Sequence, residues 1–404
     1  MRCFQVYLSA FLLLFLPCGC QKKVDHSPKG NSPTSVVSSQ KSGTSYRQAL
    51  ERGVAWLMAQ QKENGGWPVF KDGPTNVGYT ALAVMAVASS PSEIRQKYAS
   101  SLAKGAEFLL KYQQKDGRFD QQGHERTNYY TSLSLLALVR LDKEKYKAAI
   151  EKAKNFLINT QFYEGFHNVS PDSPHYGGWD YRPKKGGLNA DLSNTQFTLQ
   201  ALKEAGVPKD SPVWKRAMKF LSRCQNRTES NDAKGFVVLN DGGFMYFPGK
   251  SQAGVKKTPK GDAHPSYASM TYAGLKSFIY CNATKDDPRV QAAYNWLRKH
   301  YTLEENYGMG TRQKPQDGKR GLFYYYQTMA KALRVWGERY IITPDGTKHD
   351  WAKELADKLV SLQKPEGYWV NANTHWQEGS PYLVTSYSLL ALNDCLKAMA
   401  AYEK

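Results

Sequence analysis

Two loop segments hold the residues whose types and spacing could do chemistry. The first reads His175-Tyr176-Gly177-Gly178-Trp179-Asp180-Tyr181-Arg182-Pro183, the second Asp241-Gly242-Gly243-Phe244-Met245-Tyr246-Phe247-Pro248. Both contain Gly-Gly-aromatic-x-Tyr, and both precede an apolar helical pattern. Trp179, Tyr181, Phe244 and Tyr246 could wall a site that holds an apolar chain by dispersion, stabilises a cation or stacks sugar rings. Asp180, Asp191 and Asp241 are the candidate catalytic groups, with Arg182 as a polar contact. Paired carboxylates such as Asp180 with Asp241 are what glycoside chemistry requires. Each group also has a structural reading: rim aromatics pack, Asp180 and Arg182 form a structural pair, and Asp191 caps a helix.

Five histidines, His124, His167, His175, His264 and His375, fall in the same class of long loops, but none has H-x-x-x-H or H-E-x-x-H spacing. No metal and no cofactor are expected. His264, just ahead of an apolar helix, is kept as a candidate ligand contact. Cys224, Cys281 and Cys395 lie far apart without C-x-x-C spacing, which argues against a disulfide framework or a zinc site. The formal charge is +19, carried by lysines spread along helix surfaces such as Lys143, Lys145, Lys147, Lys152 and Lys154. No Arg-rich block or nucleic-acid module is present, so nucleic acid is not the expected partner.

The elements that must position these residues repeat six times: an amphipathic helix, a Gly-aromatic loop, then a more apolar helix. Apolar spacing places the first helices at 46–61, 93–114, 144–161, 211–225, 288–301 and 348–363. The second helices fall at 77–89, 127–141, 191–205, 266–282, 321–337 and 381–398, apolar almost all round. Amphipathic outside and apolar inside, six times over, predicts an all-α fold, an (α/α)6 toroid of six helical-hairpin repeats. Links from inner to next outer helix are mostly short, whereas links from outer to inner are long, so the long loops gather at one mouth.

The N-terminus predicts the compartment. Arg2 is the only charge before the apolar stretch 6–16, and Pro17-Cys18-Gly19-Cys20 follows. Residues 1–20 read as a signal peptide of lipoprotein type, with Cys20 as the lipid attachment site. Ordinary signal cleavage, or Cys18, are the alternatives. Residues 21–45 are rich in Ser, Lys and Pro, the composition of a flexible tether, and 46–404 form the toroid.

Gln61-Lys62-Glu63-Asn64-Gly65-Gly66-Trp67 and Gln363-Lys364-Pro365-Glu366-Gly367-Tyr368-Trp369 fit Q-x-x-x-G-x-W, and Gln113 through Phe119 fits with Phe at the end. This resembles the QW repeat of squalene–hopene and oxidosqualene cyclases, whose barrel architecture is shared with protein prenyltransferase β subunits. The resemblance implies an isoprenoid ligand. Class II terpene cyclases open one inner helix with D-x-D-D-T, and the middle aspartate protonates the alkene. The matching segment here is Asp191-Leu192-Ser193-Asn194-Thr195. Ser193 stands at the acid's position, and a hydroxyl is too weak an acid for that step. Prenyltransferase zinc ligation is not matched either, since Asp394 and Cys395 are adjacent with no later His. Asp286-Asp287 lacks the third member of D-D-x-x-D, and Cys-Gly-Glu-Gln is absent.

The expectation is thus an exported, monomeric, lipid-anchored toroid of the cell envelope with an aromatic cavity for an apolar or isoprenoid ligand. A polysaccharide lyase or glycosidase on the same barrel, and a non-catalytic envelope binding or scaffold protein, are the alternatives.

Overall fold

The computed structural model describes residues 36–123, 126–182 and 188–403. The segment read as a signal, with Cys18 and Cys20, the stretch read as tether up to residue 35, and His124 lie outside the described residues. The described residues from 42 to 403 form one compact unit.

Thirteen α-helices make up the described chain. The outer layer is α1 (Val36–Met58), α4 (Ala99–Lys111) with a short α3 (Ser92–Lys97) ahead of it, α6 (Lys147–Asn159), α8 (Pro212–Cys224), α10 (Pro288–Lys299) and α12 (Trp351–Leu362). The inner layer is α2 (Val77–Ala88), α5 (Thr127–Asp142), α7 (Leu192–Glu204), α9 (Ala268–Tyr280), α11 (Leu322–Trp336) and α13 (Pro381–Tyr402). Each inner helix packs on the next, and α13 packs back on α2, which closes the ring. The predicted toroid is therefore the observed one. Two boundaries differ. The helix expected at 93–114 is split at Tyr98, whose backbone (φ −112°, ψ 19°) leaves the helical region. Helix α1 starts at Val36, within the stretch read as tether.

The inner helices are buried because they are apolar on every side: all residues of α2 from Val77 to Ala88 are buried. Outer helices bury one stripe, as in Val213, Trp214, Ala217, Phe220 and Leu221 of α8. One seam chemistry joins the outer layer. The amide of Gln61 donates to the carbonyls of Gly65 in its own loop and Ser101 in the next outer helix. Gln113, Gln161, Gln225 and Gln363 do the same toward Ala149, Val213, Arg289 and Ala49. In the fifth unit the Tyr301 hydroxyl reaches Glu354 instead, at 2.9 Å. Glycine is required in these loops: at Gly177 φ is +87°, and a Cβ would lie 1.9 Å from the Arg216 carbonyl.

A second bond ties each loop to the inner layer. The backbone N–H of Trp67, Phe119, Trp179, Phe244 and Trp369 donates to Thr80, Thr131, Thr195, Thr271 and Thr385, the threonines of the inner-helix motif. Trp67, Trp179 and Trp369 also donate their indole N–H to the carbonyls of Leu57, Leu157 and Leu359, each at 2.7 Å.

Since one outer helix returns the chain between successive inner helices, the inner helices run in one direction. Their C-terminal halves carry buried charge. Arg140 grips Glu204 through two 2.7 Å bonds. Asp394 lies 3.2 Å from Lys331 and 2.7 Å from Arg334. Burial opposes both carboxylates, yet their cations hold each below the usual range. Basic side chains at this end also complement the helix dipoles. Two short hairpins complete the fold: β1 (Lys256–Thr258) with β2 (Gly261–Ala263), and β3 (Tyr340–Ile342) with β4 (Lys348–Asp350).

Candidate functional site

A cavity of about 160 Å³ opens at the N-terminal end of the inner ring. First turns of the inner helices supply its walls: Tyr129 from α5, Ser193 from α7, Tyr267 at the cap of α9 with Ser269 and Met270 after it, and Tyr324 from α11. Tyr387 of α13 joins them. Loops add Tyr181, Tyr246, Gln252 and the run Trp376-Gln377-Glu378, and Arg126 stands at the exposed rim, 5.5 Å from the Tyr181 ring centre. Six tyrosines and a tryptophan thus enclose a small space.

Hydroxyl pairs knit this wall. Ser193 and Tyr324 lie 3.0 Å apart, and Tyr129 and Tyr387 3.2 Å apart. Gln196 donates to the Tyr324 hydroxyl at 3.3 Å. The bore beneath is filled, with Phe197 packed edge-on against Tyr129 at 5.4 Å and near Tyr324 at 6.3 Å. Burial pushes all six tyrosine hydroxyls up, so they are neutral donors at ordinary pH.

A second cavity of about 150 Å³ adjoins the first, sharing Arg126, Tyr129, Trp376, Gln377 and Tyr387 and reaching to Asn76, Tyr79 and Leu82. Trp376 and Gln377 stand between the two. Both have left-handed backbones (φ 54° and 67°), and Gln377 accepts a 2.9 Å bond from Tyr79. Strain at two successive non-glycine residues in a cavity wall marks a segment held by its surroundings.

The sequence-predicted residues divide. Tyr181 and Tyr246 line the cavity. Asp191 lies behind it: its Oδ1 accepts from the Asn194 N–H at 2.8 Å as the N-cap of α7, and its carboxyl is bonded to Tyr246. Burial pushes Asp191 up to about 8, against the bonds from Asn194 and Tyr246. Trp179 and Phe244 are corrected. They occupy the scaffold position of Trp67 and Trp369, fully buried between inner and outer layers, and do not line the cavity. Asp241 is corrected too. Its Oδ1 accepts from Gly243 N–H at 2.9 Å and Ser266 Oγ at 2.7 Å, a turn bond that Asn64 and Asp116 make in earlier loops. Asp180 is half-buried, held by the backbone N–H groups of Arg182, Tyr181 and Asn189, with burial raising its carboxyl. Arg182 bonds Asp180 through its backbone N–H and its charge also favours the carboxylate; it is exposed and outside the cavity lining. His264 packs its ring on Phe236 at 5.9 Å, away from the cavity.

One residue that sequence reasoning missed is Glu378, which lines the cavity at 1 % exposure. Its carboxylate accepts from the N–H groups of Tyr324 (2.7 Å) and Phe323 (3.2 Å) and from Asn371 Nδ2 (2.7 Å). It therefore caps α11 from a loop more than fifty positions away, beyond the reach of local capping patterns. Burial pushes it up to about 7. Among the described residues no three His, Cys, Asp or Glu side chains converge as a metal site, and no described helix is long and apolar enough to cross a membrane. Cys224, Cys281 and Cys395 are buried free thiols.

Comparison with known proteins follows this geometry. The chain matches the prenyltransferase alpha-alpha toroid domain over residues 36–181 and 189–367. Squalene–hopene cyclase of Bradyrhizobium diazoefficiens is 26% identical over 205 residues, 45% of this chain and 30% of that enzyme. The match thus spans under a third of that relative's length. Among solved structures, a variant of the type II terpene cyclase MstE from Scytonema with its product merosterolic acid A superposes with a TM-score of 0.52 at 12% identity, covering 89% of this chain and 99% of that one. A second variant, with its substrate geranylgeranyl dihydroxybenzoate, gives 0.51 at 12% identity over the same shares. A protein from Actinoplanes gives 0.50 at 15% identity, covering 87% and 99%. At these identities the likeness is one of fold.

Proposed function

The chain belongs to the prenyltransferase alpha-alpha toroid domain family, and on that premise we propose that it binds an apolar, isoprenoid-type small molecule in the tyrosine-lined cavity without starting a cyclisation. In this reading it is exported and held at a membrane by a lipid on Cys20. The observation that carries the non-catalytic reading is Ser193, which lines the cavity bonded to Tyr324, at the position that the D-x-D-D resemblance assigns to the proton donor.

Two features support the ligand reading. The cavity, at about 160 Å³, is below the roughly 300–1,000 Å³ of sites that enclose drug-sized ligands. It suits one ring or the end of a chain, with the adjoining cavity as the path for the remainder. The fold neighbours that carry merosterolic acid A and geranylgeranyl dihydroxybenzoate favour an isoprenoid-type ligand.

The test pairs two measurements on the mature protein. Incubation with squalene and gas chromatography of the extract should give no cyclic triterpene, and native mass spectrometry with geranylgeraniol should give a one-to-one adduct. A cyclic product would overturn the non-catalytic reading. Absence of any adduct would overturn the ligand reading in favour of a scaffold.

A further inference from the structure

We propose that the ligand carries an organic cation, a quaternary alkylammonium head, seated in the tyrosine box against Glu378. This rests on the reading that the tyrosine-lined cavity is the ligand site, and it names what that site selects.

The argument begins with a contrast between buried carboxylates in one molecule. Glu204 and Asp394, at the far end of the inner ring, each have cations within ion-pair distance. Glu378 is as deeply buried as Asp394 and more so than Glu204, yet among the described residues no Lys, Arg or His is its ion-pair partner. Its bonds come from two backbone N–H groups and the Asn371 amide. A buried carboxylate without a counter-charge is costly, and here it faces an empty space. Arg126, the basic side chain on the lining, is exposed at the rim over Tyr181, where its charge acts on Tyr129 and Tyr181.

The walls suit a cation. Tyr129, Tyr267, Tyr324, Tyr387 and Trp376 line the same cavity as Glu378, and an aromatic box is the arrangement that recognises quaternary ammonium groups through the ring quadrupoles. Size agrees: the space of about 160 Å³ is close to the ~150 Å³ of a cavity known to hold a benzene-sized guest, and a trimethylammonium head is of that order. Such a head cannot donate a hydrogen bond, which matches a wall whose hydroxyls already bond one another. The acidity of Glu378, near 7, is what a carboxylate awaiting a counter-charge would show. An apolar stem on the cation would run past Trp376 and Gln377 into the adjoining cavity.

The experiment is calorimetric titration of the mature protein at pH 8 with choline, with its uncharged carbon isostere 3,3-dimethylbutan-1-ol, and with geranylgeraniol. Choline should bind at least about tenfold more tightly than the isostere, as expected for a desolvated cation–aromatic contact. Glu378→Gln, which keeps one acceptor oxygen for α11 and removes the charge, should remove that preference and leave geranylgeraniol binding intact. Should Glu378→Gln not fold, Trp376→Leu, at a half-exposed position, should weaken choline more than the isostere. Equal binding of choline and isostere, or a preference that survives whichever variant folds, overturns the inference. Loss of geranylgeraniol binding from the unmodified protein overturns the underlying site reading instead.

Discussion

The hydroxyl of Ser193 lies 3.0 Å from that of Tyr324, although α7 and α11, which carry them, are separated in the inner ring by α9. The contact therefore reaches across the bore, and a charge placed at position 193 would face tyrosines from several helices. Ser193 is half-buried in the cavity wall, and Ser193→Asp should lower stability by roughly 1–3 kcal/mol at pH 8, the cost of an unpaired charge placed there. Much of this should return at pH 5. Melting curves at both pH values decide it: an equal loss at both would mean that position 193 is solvated. The variant should remain unable to cyclise squalene, because a new carboxyl there has no partner to strengthen it.

Asp191 makes stability depend on pH in an unusual direction. Its folded value near 8 exceeds the unfolded one of about 3.9, so the folded state keeps a proton that the unfolded chain releases. The associated stability is complete below the unfolded value and is lost as pH rises toward 8. Glu378 acts in the same sense up to about 7. The titratable groups facing Asp191 are Asp180, Tyr246, Tyr181, Tyr129, Tyr267, Tyr324 and Cys224, on which it acts or which act on it. Asp191→Asn keeps a capping side chain without the proton. Its melting temperature should fall less between pH 5 and 8 than that of the unmodified protein, and parallel slopes would refute this.

Choline affinity should rise between pH 6 and 8, since Glu378 must ionise to meet a cation. The tyrosines beside it, Tyr324, Tyr326 and Tyr387, have hydroxyls pushed up by burial and stay neutral throughout. A flat or falling profile would show that another group holds the ligand.

Trp179→Ala should cost about 3–5 kcal/mol, as large buried aromatics do, while changing ligand affinity of the folded protein by less than about twofold, a few tenths of a kcal/mol. Tyr246→Ala should do more to affinity. Denaturant melts combined with titration separate the two, and a Trp179 variant of normal stability that no longer binds would return Trp179 to the site.

Cys20→Ala should move the protein from the membrane fraction to the soluble one, with Cys18→Ala as control. Unchanged fractionation and gel mobility would remove the anchor.

How far the sequence reached can be judged from particular residues. Helix positions were legible because burial imposes periodicity: the second helices expected at 127–141 and 191–205 are found at Thr127–Asp142 and Leu192–Glu204. The Gln tags were legible because each makes the same two bonds. Trp179 and Phe244 were misplaced although their Gly-Gly-aromatic setting is that of Trp67. The repeat assigns such a residue to the seam, and the tyrosine two positions later is what faces the cavity. Tyr129, Tyr267, Tyr324 and Tyr387 went unnoticed because an aromatic early in an apolar helix looks like core. Their recurrence near the inner-helix starts was the available signal. Glu378 left none, since it caps a helix in another unit.

The bond from Gln363 to the carbonyl of Ala49, at 2.9 Å, repeats in the last seam what Gln61 does in the first, and Tyr46 reaches Asp357 across the same junction at 2.6 Å. A linear stack of repeats frays from its ends, where a terminal unit has one neighbour and needs a polar cap. This ring has no terminal unit: each hairpin is flanked on both sides, and releasing any one opens two seams at once. Partial unfolding by loss of single repeats is thereby suppressed. The toroid should melt as one cooperative body, and the cavity, assembled from α5, α7, α9, α11 and α13, should persist until the whole ring opens.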